Sequence, residues 1–181
     1  AGPKSREVLQ AAFPHIDTRT EALGHMGVLD TELSGALAGI RVRIIRLTFS
    51  GELAYEVYAP THHGRRIWEH LLEVGKPWNL RPYGLEALGS LRIEKGHVTG
   101  SEMDGRTTLD DMGMGKMASQ IKPFWGDALR RREELARKDR PTLVGLEAIT
   151  PDGAPSNGAI LFFADDAIRG HGRGHITSTT Y

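Results

Sequence analysis

An α+β sandwich, with helices packed on one face of an antiparallel sheet, is the fold class this 181-residue chain predicts. Strand-like and helix-like segments follow in the order strand, strand, helix, helix, then further strands, an order that favours α+β over alternating α/β layers. The residues from Ile40 to Phe49 alternate apolar and polar as a half-buried strand does. Helix-stop glycines and prolines, as in Gly75-Lys-Pro77, close the helical segments.

The elements read in order as follows. Gly2-Pro3 opens a short helix whose Val8, Leu9, Ala12 and Phe13 fall near one face, and Pro14 stops it. Met26 to Leu29 is a short strand, and Glu32 to Gly39 the turn after it. In the next strand Ile40, Val42 and Ile44 alternate with Arg41 and Arg43. The phase slips at Ile44-Ile45, as a bulge would make it. Ser50-Gly51-Glu52 is expected to be a short hairpin connection to a strand Leu53–Ala59, with Leu53, Tyr55 and Val57 on its apolar face and Ala54, Glu56 and Tyr58 on the other. Thr61 caps a helix to Val74 whose stripe is Ile67, Trp68, Leu71 and Leu72. A second helix runs from Pro82 to Lys95, with Gly84 and Gly89 expected to allow close backbone packing. Asp127 begins a polar helix to Arg137. After Arg140-Pro141 the character changes to strands, Leu143–Ala148 and Ala159–Phe163, with turns at Asp152-Gly153 and Asn157-Gly158. The expected division is residues 1–138 as an α+β domain and 139–181 as the start of a small β-barrel.

The composition narrows the chemistry. Formal net charge is zero, so no global field draws the chain to nucleic acid or anionic lipid. With no cysteine, a disulfide framework, a thiolate metal site and a thiol nucleophile are excluded, and a cytoplasmic location is the expectation. No apolar run reaches the roughly 18 residues of a membrane span. The chain opens on Ala1 and closes on the β-branched run Ile176–Tyr181, so it is expected to be a piece of a longer polypeptide. Exposed strand edges would favour self-association of such a piece.

Several groups carry possible chemistry. His62, His63 and His70 lie on one helix, but two histidines without a third ligand make a poor zinc site, and solvated histidines are the preferred reading; no metal is expected. His171-Gly-Arg-Gly-His175 reads as a glycine-rich turn. Gly113-Met-Gly115 matches no phosphate-binding fingerprint. Asp104, Asp110 and Asp111 around Thr107-Thr108 could act as acid–base groups, though such residues more often cap turns.

Glu56 admits two readings. Strand alternation alone turns it toward water. Its same-face neighbours, however, are a small residue and an aromatic one, and a short hairpin would bring Phe49 beside it. A lone carboxylate among aromatics can accept two parallel hydrogen bonds from a flat heterocycle, one from a ring N–H and one from an exocyclic amine.

The run Phe49-Ser-Gly-Glu-Leu-Ala-Tyr-Glu56-Val-Tyr58, then Pro82-Tyr-Gly-Leu-Glu-Ala-Leu, Leu91-Arg-Ile-Glu-Lys-Gly96, and Asp104 with Thr107-Thr108, resembles the glycine-cleavage T-protein (aminomethyltransferase) family. Phe-Ser-Gly-Glu-Leu with Leu-Arg-Ile-Glu-Lys-Gly is most similar to the large (alpha) subunits of heterotetrameric sarcosine oxidases within it. Ala1–Leu9 resembles a helix start found mid-domain in the family, and Gly174–Ser178 a strand near its C-terminal barrel.

The resemblance implies a ferredoxin-like half of a tetrahydrofolate-binding fold, with Glu56 gripping the pteridine ring. Phe49 stands where T-proteins usually carry Tyr, which leaves packing without a hydroxyl, and Tyr83 is a further residue for the pocket wall. Leu88 replaces an Arg of T-proteins, which disfavours aminomethyl transfer and fits oxidase-type relatives. The family's essential Asp lies upstream of anything matching Ala1, so no catalytic residue is assigned. The parent would also hold flavin and NAD in other parts and work with other subunits, and it would pass the one-carbon product of N-methyl amine oxidation to tetrahydrofolate. The remaining alternatives are a non-catalytic folate-binding or assembly module, a glycine-cleavage-type transferase, and a structural domain with Glu56 solvated.

Overall fold

The computed structural model describes residues 1–150, 153, 155–165 and 172–180. The chain divides into two compact units, Ala1–Lys95 and Gly96–Tyr181. The change of composition expected near Asp139 falls inside the second of these.

The first unit is α+β. Its elements are α1 (Ser5–Ala12), β1 (Val28–Glu32), β2 (Arg41–Ile45), β3 (Glu56–Tyr58), α2 (Gly64–Val74) and α3 (Leu85–Lys95). The strands form an antiparallel sheet in the order β1-β2-β3, with Leu29 opposite Ile44 and Ile44 opposite Val57. Because successive strand residues point to opposite faces, this register puts Leu29, Val42, Ile44 and Val57 on one side. There they pack with Leu9 and Ala12 of α1, with Phe13 just past its end, and with Ile67, Leu71 and Val74 of α2. Ile44 is fully buried. The α1 stripe is the one its periodicity predicts: Val8, Leu9, Ala12 and Phe13 are all buried. His70 ties the two helices, with its Nε2 3.1 Å from the Ala12 carbonyl and its ring stacked on Phe13.

The helix α2 ends at Gly75, and the end is sterically set. A Cβ there would come within 2.5 Å of the Leu80 side chain, because Leu80 folds back to donate its N–H to the Gly75 carbonyl. Trp68 is not part of the core stripe; it is 53% exposed.

Further expectations need correction in this unit. Thr61 does not cap α2: residues Thr61–His63 form a 3-10 turn, α2 begins at Gly64, and its start carries no side-chain cap hydrogen bond. The helix α3 begins at Leu85 and not at Pro82. The strand β1 starts later than expected and runs on to Glu32, through the start of the expected turn. The phase slip at Ile44-Ile45 is the end of β2 and not a bulge. The β2–β3 connection is not a short hairpin: residues 46–55 separate the strands, and β3 begins only at Glu56. Finally, a Cβ on Gly84 or Gly89 would meet nothing within 4 Å, so no close backbone packing explains them.

The 46–55 connection is held from both sides. The Leu53 carbonyl accepts from the Gly2 N–H at 2.8 Å and from Ser5 Oγ at 2.8 Å. Lys95 Nζ donates to the Thr48 carbonyl at 2.8 Å, and the Lys95 stem lies against Gly51, whose φ of +92° suits glycine.

The second unit is held largely by turns. It contains α4 (Asp127–Arg130), α5 (Glu133–Ala136) and the two-stranded pair β4 (Ile160–Leu161) with β5 (Gly174–His175). The expected single helix to Arg137 breaks at Arg132, whose backbone is extended. Residues 143–148 form no strand. Asn157-Gly158 is a turn, with Gly158 at φ +81°; Asp152 and His171 lie outside the described residues, and no barrel is described. No described helix is long and apolar enough to cross a membrane.

The core sets one quantitative expectation. Ile44→Ala should cost about 2–5 kcal/mol of stability, while Trp68→Ala should change it far less. Chemical denaturation of the two variants measures the contrast.

Candidate functional site

The register that buries Ile44 and turns Val57 toward the core puts Glu56 and Tyr58 on the other side of the sheet. On that outer face Ile45 stands opposite Glu56, and Arg43 opposite Tyr58. Arg43 in turn faces Asp30 on β1 and holds it with two parallel hydrogen bonds, Nε to Oδ1 at 2.7 Å and Nη2 to Oδ2 at 2.8 Å. That pair is well exposed and draws the Asp30 carboxyl below its ordinary range, chiefly through the Arg43 hydrogen bond.

Glu56 is half-buried, and the Tyr58 hydroxyl donates to its Oε2 at 2.5 Å. The contact holds the Tyr58 phenol above its usual pKa, because the hydrogen bond and the negative charge both favour the protonated phenol. Tyr58 itself is 53% exposed, so its ring offers a flat apolar surface beside the carboxylate. It also lines a broad, solvent-open depression of about 660 Å³ over the outer face, together with Asp30, Glu32, Arg41, Arg43 and Ile45.

Phe49 and Tyr83 both lie outside the strands of the sheet. Phe49 lies in the 46–55 connection, 37% exposed, and the length of that connection removes it from the β2–β3 ladder that was expected to bring it beside Glu56. Tyr83 precedes α3 and is half exposed. Neither lines the depression, and neither does Glu56. Leu88 sits on α3, half-buried. The connection just ahead of Glu56 carries two buried hydroxyls without a hydrogen-bond partner, Ser50 Oγ and Tyr55 Oη. Burial raises the Tyr55 phenol pKa, against the opposing charges of Arg6 and Arg46.

The other groups singled out from sequence do structural work. Asp104 accepts from the Arg106 N–H at 2.8 Å and from Thr107 Oγ1 at 3.0 Å, and the Arg106 guanidinium helps hold its carboxyl at about 2. Asp111 is buried and exchanges hydrogen bonds with Thr108, receiving its N–H at 2.8 Å. It also takes the Arg140 guanidinium at 2.9 and 2.6 Å, while Arg140 Nη2 reaches the Arg106 carbonyl at 2.6 Å. Asp104 and Asp111 are thus turn caps, and Asp110 accepts from Arg130 Nη2 at 2.8 Å. His62 and His63 lie with ring centroids 4.0 Å apart, and no group of three or more His, Asp or Glu among the described residues could hold a metal ion.

An α+β unit with a three-stranded antiparallel sheet, helices on one face and a carboxylate–phenol pair on the other is the class these features define. The sequence model of the GCVT N-terminal domain family matches residues 1–122, and the chain belongs to that family. It is 41% identical, over its whole length, to the sarcosine oxidase subunit alpha of Rhizobium meliloti (strain 1021). Identity to the corresponding subunit of Corynebacterium sp. (strain P-1) is 37% over 98% of the chain. An aminomethyltransferase of Caldanaerobacter subterraneus subsp. tengcongensis is 33% identical over 87% of the chain. The chain spans 18% of the length of each of the two oxidase subunits and 40% of the transferase.

The Asp111–Arg140 pair should make the second unit acid-sensitive. Arg140, above all, and the Thr108 bonds hold the folded carboxyl below its ordinary value. Its contribution is therefore complete above the unfolded value of about 3.9 and is lost as pH falls through the depressed folded value. Amide protection factors across residues 104–143, taken relative to intrinsic exchange at each pH, should fall below about pH 4 in the parent and lose that dependence in Asp111→Asn, which should be less protected already at neutral pH.

Proposed function

We propose that this chain is the tetrahydrofolate-holding part of a sarcosine oxidase alpha-subunit-like enzyme. In the parent a flavin held elsewhere oxidises an N-methyl amine, and the resulting one-carbon unit is captured on the folate held here. Residues 1–138 would be the folate-binding part and 139–181 the beginning of a barrel domain. The parent complex would be cytoplasmic and would include further subunits and NAD.

The single observation that carries the reading is the position of Glu56. It is a half-buried carboxylate on the outer sheet face, beside an exposed aromatic ring, within a chain 41% identical throughout to an oxidase alpha subunit. The donor and acceptor sets fit. A pteridine presents a ring N–H next to an amine, and an ionised carboxylate accepts two such bonds in parallel. The unpartnered hydroxyls of Ser50 and Tyr55, a few residues before Glu56, are further polar groups of the same segment. When bound, tetrahydrofolate would supply the nucleophilic nitrogens that take up the one-carbon unit to give 5,10-methylenetetrahydrofolate. The part of this chain is to bind and orient, which supplies proximity. Glu56 would fix the ring's orientation, with Phe49 and Tyr83 packing as parts of the wall. Leu88 favours this reading over lipoyl-linked aminomethyl transfer.

Calorimetric titration of the full-length subunit with tetrahydrofolate tests the assignment. Glu56→Gln keeps the shape but removes the charge and one acceptor, and should weaken binding roughly 10- to 100-fold, the scale of hydrogen bonds to a charged group. Equal affinity in the two proteins removes Glu56 from the site.

A further inference from the structure

We propose that Tyr58 is a positioning residue for the ligand of Glu56: its hydroxyl fixes the plane of the carboxylate and leaves free acceptor sites turned to the ligand. The inference rests on the reading of Glu56 as the folate-holding carboxylate and extends it to a residue that reading does not use.

The geometry is local and directional. Glu56 and Tyr58 are two residues apart in one strand, so their side chains leave the same face of the sheet. The ladder holds both backbones, Glu56 against Ile45 and Tyr58 against Arg43. The phenol then reaches back to Oε2 at 2.5 Å. A glutamate on a strand has three side-chain torsions, and a single hydrogen bond from a neighbour with only two removes most of that freedom. The cost of ordering the carboxylate is thereby met before a ligand arrives.

Counting acceptors decides between positioning and competition. A carboxylate offers about four lone-pair sites and the phenol uses one, so about three remain for the two N–H donors of a flat heterocycle. The phenol therefore has no need to leave when the ligand binds. Directly across the ladder the pair faces Ile45 and Arg43, and Arg43 is engaged by Asp30. The exposed Tyr58 ring, bordering the depression on the outer face, adds a surface on which a ring system can lie.

The experiment uses the full-length subunit, with tetrahydrofolate as the probe, in four forms: parent, Glu56→Gln, Tyr58→Phe and the double variant. Tyr58→Phe keeps the ring and removes the hydroxyl, and should raise Kd roughly three- to tenfold, the scale of one neutral hydrogen bond. The double variant should bind no more weakly than Glu56→Gln alone, because the hydroxyl acts only through the carboxylate. A ligand-free readout accompanies this: tyrosinate absorbance should show the Tyr58 phenol ionising at lower pH in Glu56→Gln than in the parent. Both single variants should melt with the parent, which a merely structural role would not allow. If Glu56→Gln weakens binding while Tyr58→Phe does not, the positioning role fails and the folate reading stands. If neither variant changes affinity, both fail. Tighter binding by Tyr58→Phe would show the phenol competing with the ligand and would likewise overturn the proposal.

Discussion

The pairing of Ile44 with Val57 is the constraint on which the rest of the first unit depends. Strand side chains alternate with a period of two, so a slip of one residue would carry Val57 to solvent and drive Glu56 into the packed helices. The core resists that slip. Ile44 is enclosed among Leu9, Phe13 and Ile67, and an unpaired carboxylate in their place would bear a large desolvation penalty. The outer-face arrangement of Glu56, Tyr58, Arg43 and Asp30 is thus a by-product of apolar packing on the opposite side.

Where burial and periodicity agree, the chain is legible from its residues. The α1 stripe, the stop of α2 at Gly75 and the alternation from Arg41 to Ile44 all match the expectation, whereas α2 begins three residues after Thr61. The 46–55 connection is where the reading fails. Leu47, Phe49, Leu53 and Tyr55 continue the alternation of the strands around them, yet alternation reports which residues are sheltered, not which backbones are paired. Ser50 and Ala54 are buried in this connection without belonging to the ladder. In the second unit, Leu143, Val144 and Leu146 have the composition of a strand but remain exposed. Composition specifies a strand only when a partner backbone is at hand to accept it.

The site divides along the same line. The aromatic beside Glu56 can be read from the two-residue spacing, and its ring was expected there. The role of its hydroxyl was not read, although that same spacing is what lets a phenol reach a carboxylate along one strand. A short hairpin would put Phe49 in the ladder beside Glu56; the strands instead end at Ile45 and resume at Glu56, and such element boundaries are what local sequence specifies least. Asp104 and Asp111 follow turn chemistry, since each bonds a Thr three residues away that closes the turn.

The two clips on the 46–55 connection give distant positions a say in the outer face. Ser5 and Gly2 anchor one shoulder at Leu53 and Lys95 anchors the other at Thr48, so the first and last residues of the unit brace the segment that delivers Glu56 to its strand. Sequence drift at Ser5 or Lys95 would therefore reach the carboxylate through the main chain without touching it.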